Sequence, residues 1–269
     1  MNIIKFIESF TDENFMKATG NRRDSFGQFG KLGKNLALAS IPFGLSALVN
    51  KTYAADITPT PNTPIGALQL ALVLEYLEDE FYQMGLSSGV ISPLENGGRD
   101  LKVFQQIAQH ESDHVAFLIA GLGGTASANF VAKPTFDFTA GGLFNPFNDY
   151  PTFLALAQAF EDTGVRAYKG QAVNLMSSPD LLTAALQIHS VEARHASEVR
   201  RLRGEKGWIV RDDRGGLPVQ AQGTYDGEQN VTQGGYNAAA LFGIDAGSAA
   251  FDEPLSTQAT VNIANLFIV

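Results

Sequence analysis

One pattern occurs twice in this chain, and it constrains the fold more than any other feature. LEYLEDEFY carries Glu75 and, seven residues on, Tyr82, while FEDTGVRAY carries Glu161 and, seven residues on, Tyr168. HESDH holds Glu111 and His114, and EARH holds Glu192 and His195, with a Gln-Ile pair five residues before each of those glutamates. The order along the chain is therefore Glu, Glu-x-x-His, Glu, Glu-x-x-His. Each segment reads as a helix, so the first resembles the third and the second resembles the fourth.

The helices are expected at 65–84, 100–121, 152–175 and 180–204, with Asp100, Thr152 and Asp180 as N-caps and glycines closing the second and fourth. A turn-rich stretch (GLSSGVISPLENGG) separates the first pair and a short MSSP turn the second. Between the pairs lies a long Gly-, Pro- and Phe-rich stretch, 123–151. Short turns make antiparallel neighbours, and a long connection can cross the bundle end to end. The expected fold is all-α, two antiparallel hairpins joined by a crossover. Phe130, Phe136, Phe138, Phe144, Phe147 and Tyr150 are expected to pin the crossover to the bundle.

The Glu-x-x-His spacing has a chemical meaning. Residues i and i+3 lie about 60° apart around a helix and ~4.5 Å apart along it, so both side chains can aim at one metal ion. Their neighbours fix the direction. Phe104, Ile107, Ala108, Val115 and Leu118 share the face of Glu111 and His114, and Ala185, Ile188, Ala196 and Val199 share that of Glu192 and His195. Leu68, Ala71 and Leu72 lead up to Glu75, as Leu154 and Ala157 lead up to Glu161. All four carboxylates are thus expected to face the core, where an uncompensated ion costs several kcal/mol. Two divalent cations would balance four carboxylates. The chain has no cysteine and four histidines, so the ligands are oxygen and imidazole, which suits iron or manganese. The candidate ligands are Glu75, Glu111, His114, Glu161, Glu192 and His195. Glu78, one turn beyond Glu75, is a supporting or bridging alternate, since Gly164 takes its place in the third helix. Tyr82 and Tyr168 are candidate hydrogen-bond donors to the ligand carboxylates.

Residues 110–114 also fit the H-E-x-x-H pattern of zinc proteases, with His110 and His114 on zinc and Glu111 as base. Against that reading, no glutamate follows until Glu161, Phe117 and Ala120 replace the Gly and His of the extended form, and Val191 replaces His110 in the second copy. His110 and His189 are then expected to be hydrogen-bonded core or interface residues.

Residues 1–55 differ in composition from the rest. A basic stretch (GNRRDSFGQFGKLGK) precedes an apolar run (LALASIPFGLSALV) and small residues, the layout of an export signal. The run is too short to cross a bilayer as a helix. Arg22, Arg23 and Phe26 resemble the twin-arginine signal, although Ser25 departs from it, and Lys51 suits that family's style. The resemblance implies export to the periplasm or beyond, with cleavage near Ala54–Asp56. Residues 56–64 (DITPTPNTP) read as a linker opening the bundle region, 56–208. Residues 209–269 read as an irregular extension that packs on the bundle or on a partner, its apolar end (NIANLFIV) docking. The net charge of −9 argues against a nucleic-acid partner, and no segment reads as an integral membrane span.

LEYLEDEFY, HESDH, FEDTGVRAY and EARH, with GEQNVTQGG and AFDEPLS in the extension, resemble the ferritin-like proteins that include plant desiccation-related proteins and exported bacterial relatives. The resemblance covers about 56–269 and implies a ferritin-like four-helix bundle. From better-studied ferritin-like proteins it implies the same six ligands and a range of chemistry: ferrous oxidation, peroxide consumption in stress defence, and oxygen activation. A homo-oligomer is a further expectation. The alternative is a structural or protective bundle whose metal is a staple or absent. Replacing Arg22 and Arg23 by lysine is expected to leave the protein in the cytoplasm, as read by cell fractionation; unchanged export would remove the twin-arginine reading.

Overall fold

The computed structural model describes residues 56–269; the signal-like segment lies outside them. Four long helices form the bundle: α1 (Pro64–Ser88), α2 (Arg99–Gly121), α3 (Tyr150–Gln171) and α4 (Pro179–Leu202). Three short helices follow, α5 (Gln222–Tyr225), α6 (Ala239–Ser248) and α7 (Thr257–Ala264), with a two-stranded antiparallel ribbon of β1 (Thr232–Gln233) and β2 (Tyr236–Asn237). The expected all-α bundle is present. Among the described residues no helix is long and apolar enough to cross a membrane.

The helix starts differ from those expected. Thr63 caps α1, its hydroxyl accepting from the Gly66 N–H at 3.1 Å. Asp149 caps α3 by accepting from the Thr152 N–H, so Thr152 is the capped residue and not the cap. Ser178 precedes α4, with Asp180 in its first turn. Asp100 does not cap α2 either: Gly98 holds the N-cap position without a side-chain cap, and Asp100 is buried, accepting from Asn96 and, at 2.6 Å, from the Tyr150 hydroxyl. Helix α1 also runs one turn further than its glycine suggested. A Cβ on Gly85 would stand 2.3 Å from the Phe153 ring, so this glycine serves close helix packing. The helix stops instead at Gly89, whose φ of 79° ends it in the left-handed region.

Pairings across the bundle show the hairpins. Glu75 of α1 meets His114 of α2, and Tyr82 stacks near Phe104; Asp162 of α3 meets Arg200 of α4. One end of the core is aromatic. Phe81 stacks on Phe153 at 4.8 Å, and Phe138 from the crossover packs against Phe81, Phe147 and Phe160. Phe130, Phe136, Phe144 and Tyr150 lie partly buried against the same cores, so the crossover aromatics do hold it to the bundle.

The extension wraps the outer face of α3. Gln158, Asp162 and Arg166 form a polar stripe there, yet all three are buried. Arg166 donates to the carbonyls of Glu253, Thr224 and Asp226 and pairs with Glu228 at 2.8 Å. Tyr225 donates to Asp162, which also accepts from Arg200, both at 2.7 Å. The chain end docks through Phe267, edge-on to Phe160, and through a bridge between Ile268 and Phe136. Residues 56–63 are not a free linker: Ile57 exchanges two hydrogen bonds with the Asn265 side chain. Removing one partner of a buried ion pair leaves the other charge uncompensated. Arg166→Ala is therefore expected to destabilise the protein by about 3–5 kcal/mol and to open residues 209–269 to protease, measured by urea denaturation and limited proteolysis.

Candidate metal centre

The long helices each send carboxylates to one point inside the bundle. Glu75 (α1), Glu111 (α2), Glu161 (α3) and Glu192 (α4) are all 0% exposed. His114 Nδ1 lies 3.1 Å from Glu75, 3.0 Å from Glu111 and 3.2 Å from Glu192. His195 Nδ1 lies 2.9 Å from Glu111 and 3.4 Å from Glu161. The six side chains make two overlapping groups, Glu75–Glu111–His114–Glu192 and Glu111–Glu161–Glu192–His195, with the ligand atoms of each within 4.8 Å of one another. Glu111 and Glu192 belong to both. Glu75 with His114 and Glu161 with His195 belong to one each.

The donor atoms fit a metal better than they fit each other. Glu111 Oε1, Glu161 Oε2, both oxygens of Glu192 and His195 Nδ1 are buried without a hydrogen-bond partner. His195 Nδ1 and Glu111 Oε1 are close enough to attract, but neither is aligned for a hydrogen bond. Lone pairs that converge without pairing are costly unless a cation collects them. An all-oxygen and imidazole set suits iron or manganese more than a soft metal.

Without a metal, protons must neutralise this charge. Burial pushes the Glu111 carboxyl up to about 7, despite the neighbouring imidazoles of His114 and His195, which lower it. Burial and then the surrounding carboxylates push Glu78 and Glu192 well above the usual range. Burial alone would lower His114 and His195, but the glutamates facing them raise both. Glu75 runs the other way: burial raises it, and the charge and hydrogen bond of His114 outweigh that.

The tyrosines act across the bundle. Tyr82 of α1 donates to Glu161 of α3 at 2.5 Å, and Tyr168 of α3 donates to Glu75 of α1. Burial, then the carboxylate charge, holds both hydroxyls protonated. Each tyrosine thus orients the glutamate of the opposite copy. Glu78 is 2% exposed, and its carboxylate lies over Gly164, where an added Cβ would be 3.2 Å from it and 3.4 Å from Glu192. The glycine that breaks the repeat makes room for the extra carboxylate.

The protease reading finds no support in this geometry. The candidate clusters use Glu111 as a donor and leave out His110. His110 instead reaches α4, its Nδ1 2.8 Å from His195 Nε2, with Gln106 against its other nitrogen. Sequence reasoning left this contact unassigned, because nothing in HESDH names a partner on α4. His189 lies apart from the cluster, and burial lowers its pKa.

Four helices in two hairpins, with carboxylates and imidazoles gathered between them, define a ferritin-like bundle. The family model described as a ferritin-like domain matches residues 63–205, and the chain belongs to that family. No curated protein and no solved structure matches it significantly.

The pKa directions set the pH dependence of the metal-free protein. Glu111 ionises near 4.5 when unfolded and near 7 when folded, so its contribution declines as pH rises through that window. His114 and His195, raised above 6.5, lose theirs as pH climbs past that value. Glu75 is ionised in both states above 4.5 and does not oppose this. The melting temperature of metal-free protein is expected to fall from pH 5 to pH 8, while the increment from added manganese grows; scanning calorimetry at both pH values checks the two slopes.

Proposed function

We propose that this protein holds two iron or manganese ions between its four helices, in stress defence by ferrous oxidation or peroxide consumption. Glu111 and Glu192 would span both ions, Glu75 and His114 would complete one position, and Glu161 and His195 the other. The observation that carries the reading is the set of buried, unpaired donor atoms shared between two overlapping clusters. Such a pair of ions supplies two-electron chemistry toward dioxygen or peroxide.

The residues of this chain would do the rest. Glu111 and Glu192 each turn one oxygen toward His114 and the other toward His195, so each would serve both halves. Tyr82 and Tyr168 hold the terminal glutamates Glu161 and Glu75 by hydrogen bonds. Glu78, kept protonated by burial and by Glu192, is a proton store beside the centre. The aromatic wall of Phe81, Phe104 and Phe153 excludes water from one end. A structural or protective role, with the cation as a staple, would use the same ligands without turnover.

The proposal extends to placement. The basic-then-apolar order of residues 1–55 supports export, and GEQNVTQGG and AFDEPLS support the desiccation-related branch of the family.

Metal titration tests the centre. Free metal at a hundred times its dissociation constant should add about 2.7 kcal/mol of stability per site. Purified protein given ferrous iron under air should take up two ions per chain and develop an oxo-bridge absorbance. Glu111→Ala and Glu192→Ala should each abolish both sites, whereas Glu75→Ala and Glu161→Ala should each cost mainly one. No uptake and an unchanged melting temperature would sink the metal reading. Uptake without turnover would leave the staple.

A further inference from the structure

The two halves of the centre are not equivalent. The repeat aligns Glu111 with Glu192 and His114 with His195, but it aligns His110 with Val191. Valine offers no nitrogen, so the difference removes one hydrogen-bonding group from one half.

His110 uses that group on His195. Its Nδ1 lies 2.8 Å from His195 Nε2, and the ring planes are 16° apart with centroids 5.1 Å apart. That separation matches the N–N distance plus the reach from each ring centre to its nitrogen, so the bond lies in the plane of both rings. An in-plane hydrogen bond at Nε2 fixes the orientation of the His195 ring. It leaves Nδ1, which faces Glu111 and Glu161 and has no hydrogen-bond partner, turned inward as the nitrogen a cation would take; with a cation there, the His195 proton would sit on Nε2, against His110. Gln106, against the other nitrogen of His110 at 2.7 Å, holds that ring in turn. A second observation separates the halves: His110 and His195 both line an open groove between α2 and α4, whose rim carries Lys102 and Arg194.

Resting on the dinuclear reading above, we infer that His110 is a positioning residue for His195 and makes the Glu161–His195 half the tighter metal position. The relay Gln106–His110–His195 runs from the groove to the centre, and the Glu75–His114 half has no counterpart of His110. The chemical consequence is two ions of unequal affinity.

Cobalt(II) titration of the full chain, followed by calorimetry and by the cobalt visible bands, tests this. Wild type is expected to show two binding events. His110→Val, which copies the residue at 191, should weaken the tighter event by about 10–100-fold and leave the other unchanged. His110→Gln, which keeps a carbonyl acceptor for His195, should recover most of the loss. Both variants should keep the helical circular dichroism of wild type. If His110→Val leaves both events unchanged, weakens both equally, or is not rescued by glutamine, the positioning role is overturned while the centre stands. If wild type binds no cobalt, the dinuclear reading itself fails and takes this inference with it.

Discussion

Placing four carboxylates, and a fifth from Glu78, in the middle of a helical bundle is the constraint to which the rest of the structure answers. Each buried anion carries a desolvation cost of several kcal/mol. The protein meets that cost with converging positive partners: two histidines, protons on Glu78, Glu111 and Glu192, or divalent ions in their place. Protons and metal compete for the same oxygens. The metal-free form therefore favours low pH, and the metal-bound form favours high pH.

Helix α3 carries the consequences outward. Its inner face holds Glu161 and Tyr168, and its outer face holds Gln158, Asp162 and Arg166. Both faces are buried, the first against the other helices and the second under the extension. Arg166 gathers three carbonyls from two separate stretches of the tail and pairs with Glu228, so residues 224–228 and 253 are tied to the helix that supplies Glu161. The segments at 227–235 and 250–256 thus have a structural reason to carry acidic residues. Glu228 answers a buried guanidinium and also accepts from the backbone of Glu253.

Much of this was legible residue by residue. The apolar companions of Glu111, Glu192, Glu75 and Glu161 told which way those side chains point, because a helix repeats its facing every three to four residues. The repeat paired Tyr82 with Tyr168 and marked Gly164 as the place where the copies differ. Other features were hidden. Asp100 looked like a cap, but the Tyr150 hydroxyl claims its carboxylate from across the bundle; Thr152 looked like one too, but Asp149, three residues earlier, is the cap and Thr152 the residue it caps. Gly85 looked like a stop until Phe153 was seen against it. The buried stripe of Gln158, Asp162 and Arg166 on α3 has no local signal at all, because the groups that cover it come from residues 224–253.

The duplicated Glu and Glu-x-x-His pattern by itself determined a four-helix bundle with inward carboxylates, because periodicity and burial are properties of a single helix. Which glutamate is shared between the two clusters, which tyrosine serves which carboxylate, and that His110 meets His195 were decided only by the tertiary structure. Those are relations between helices, set by the antiparallel pairing and register of the hairpins, and one helix's spacing says nothing about the side chain it will face across the core.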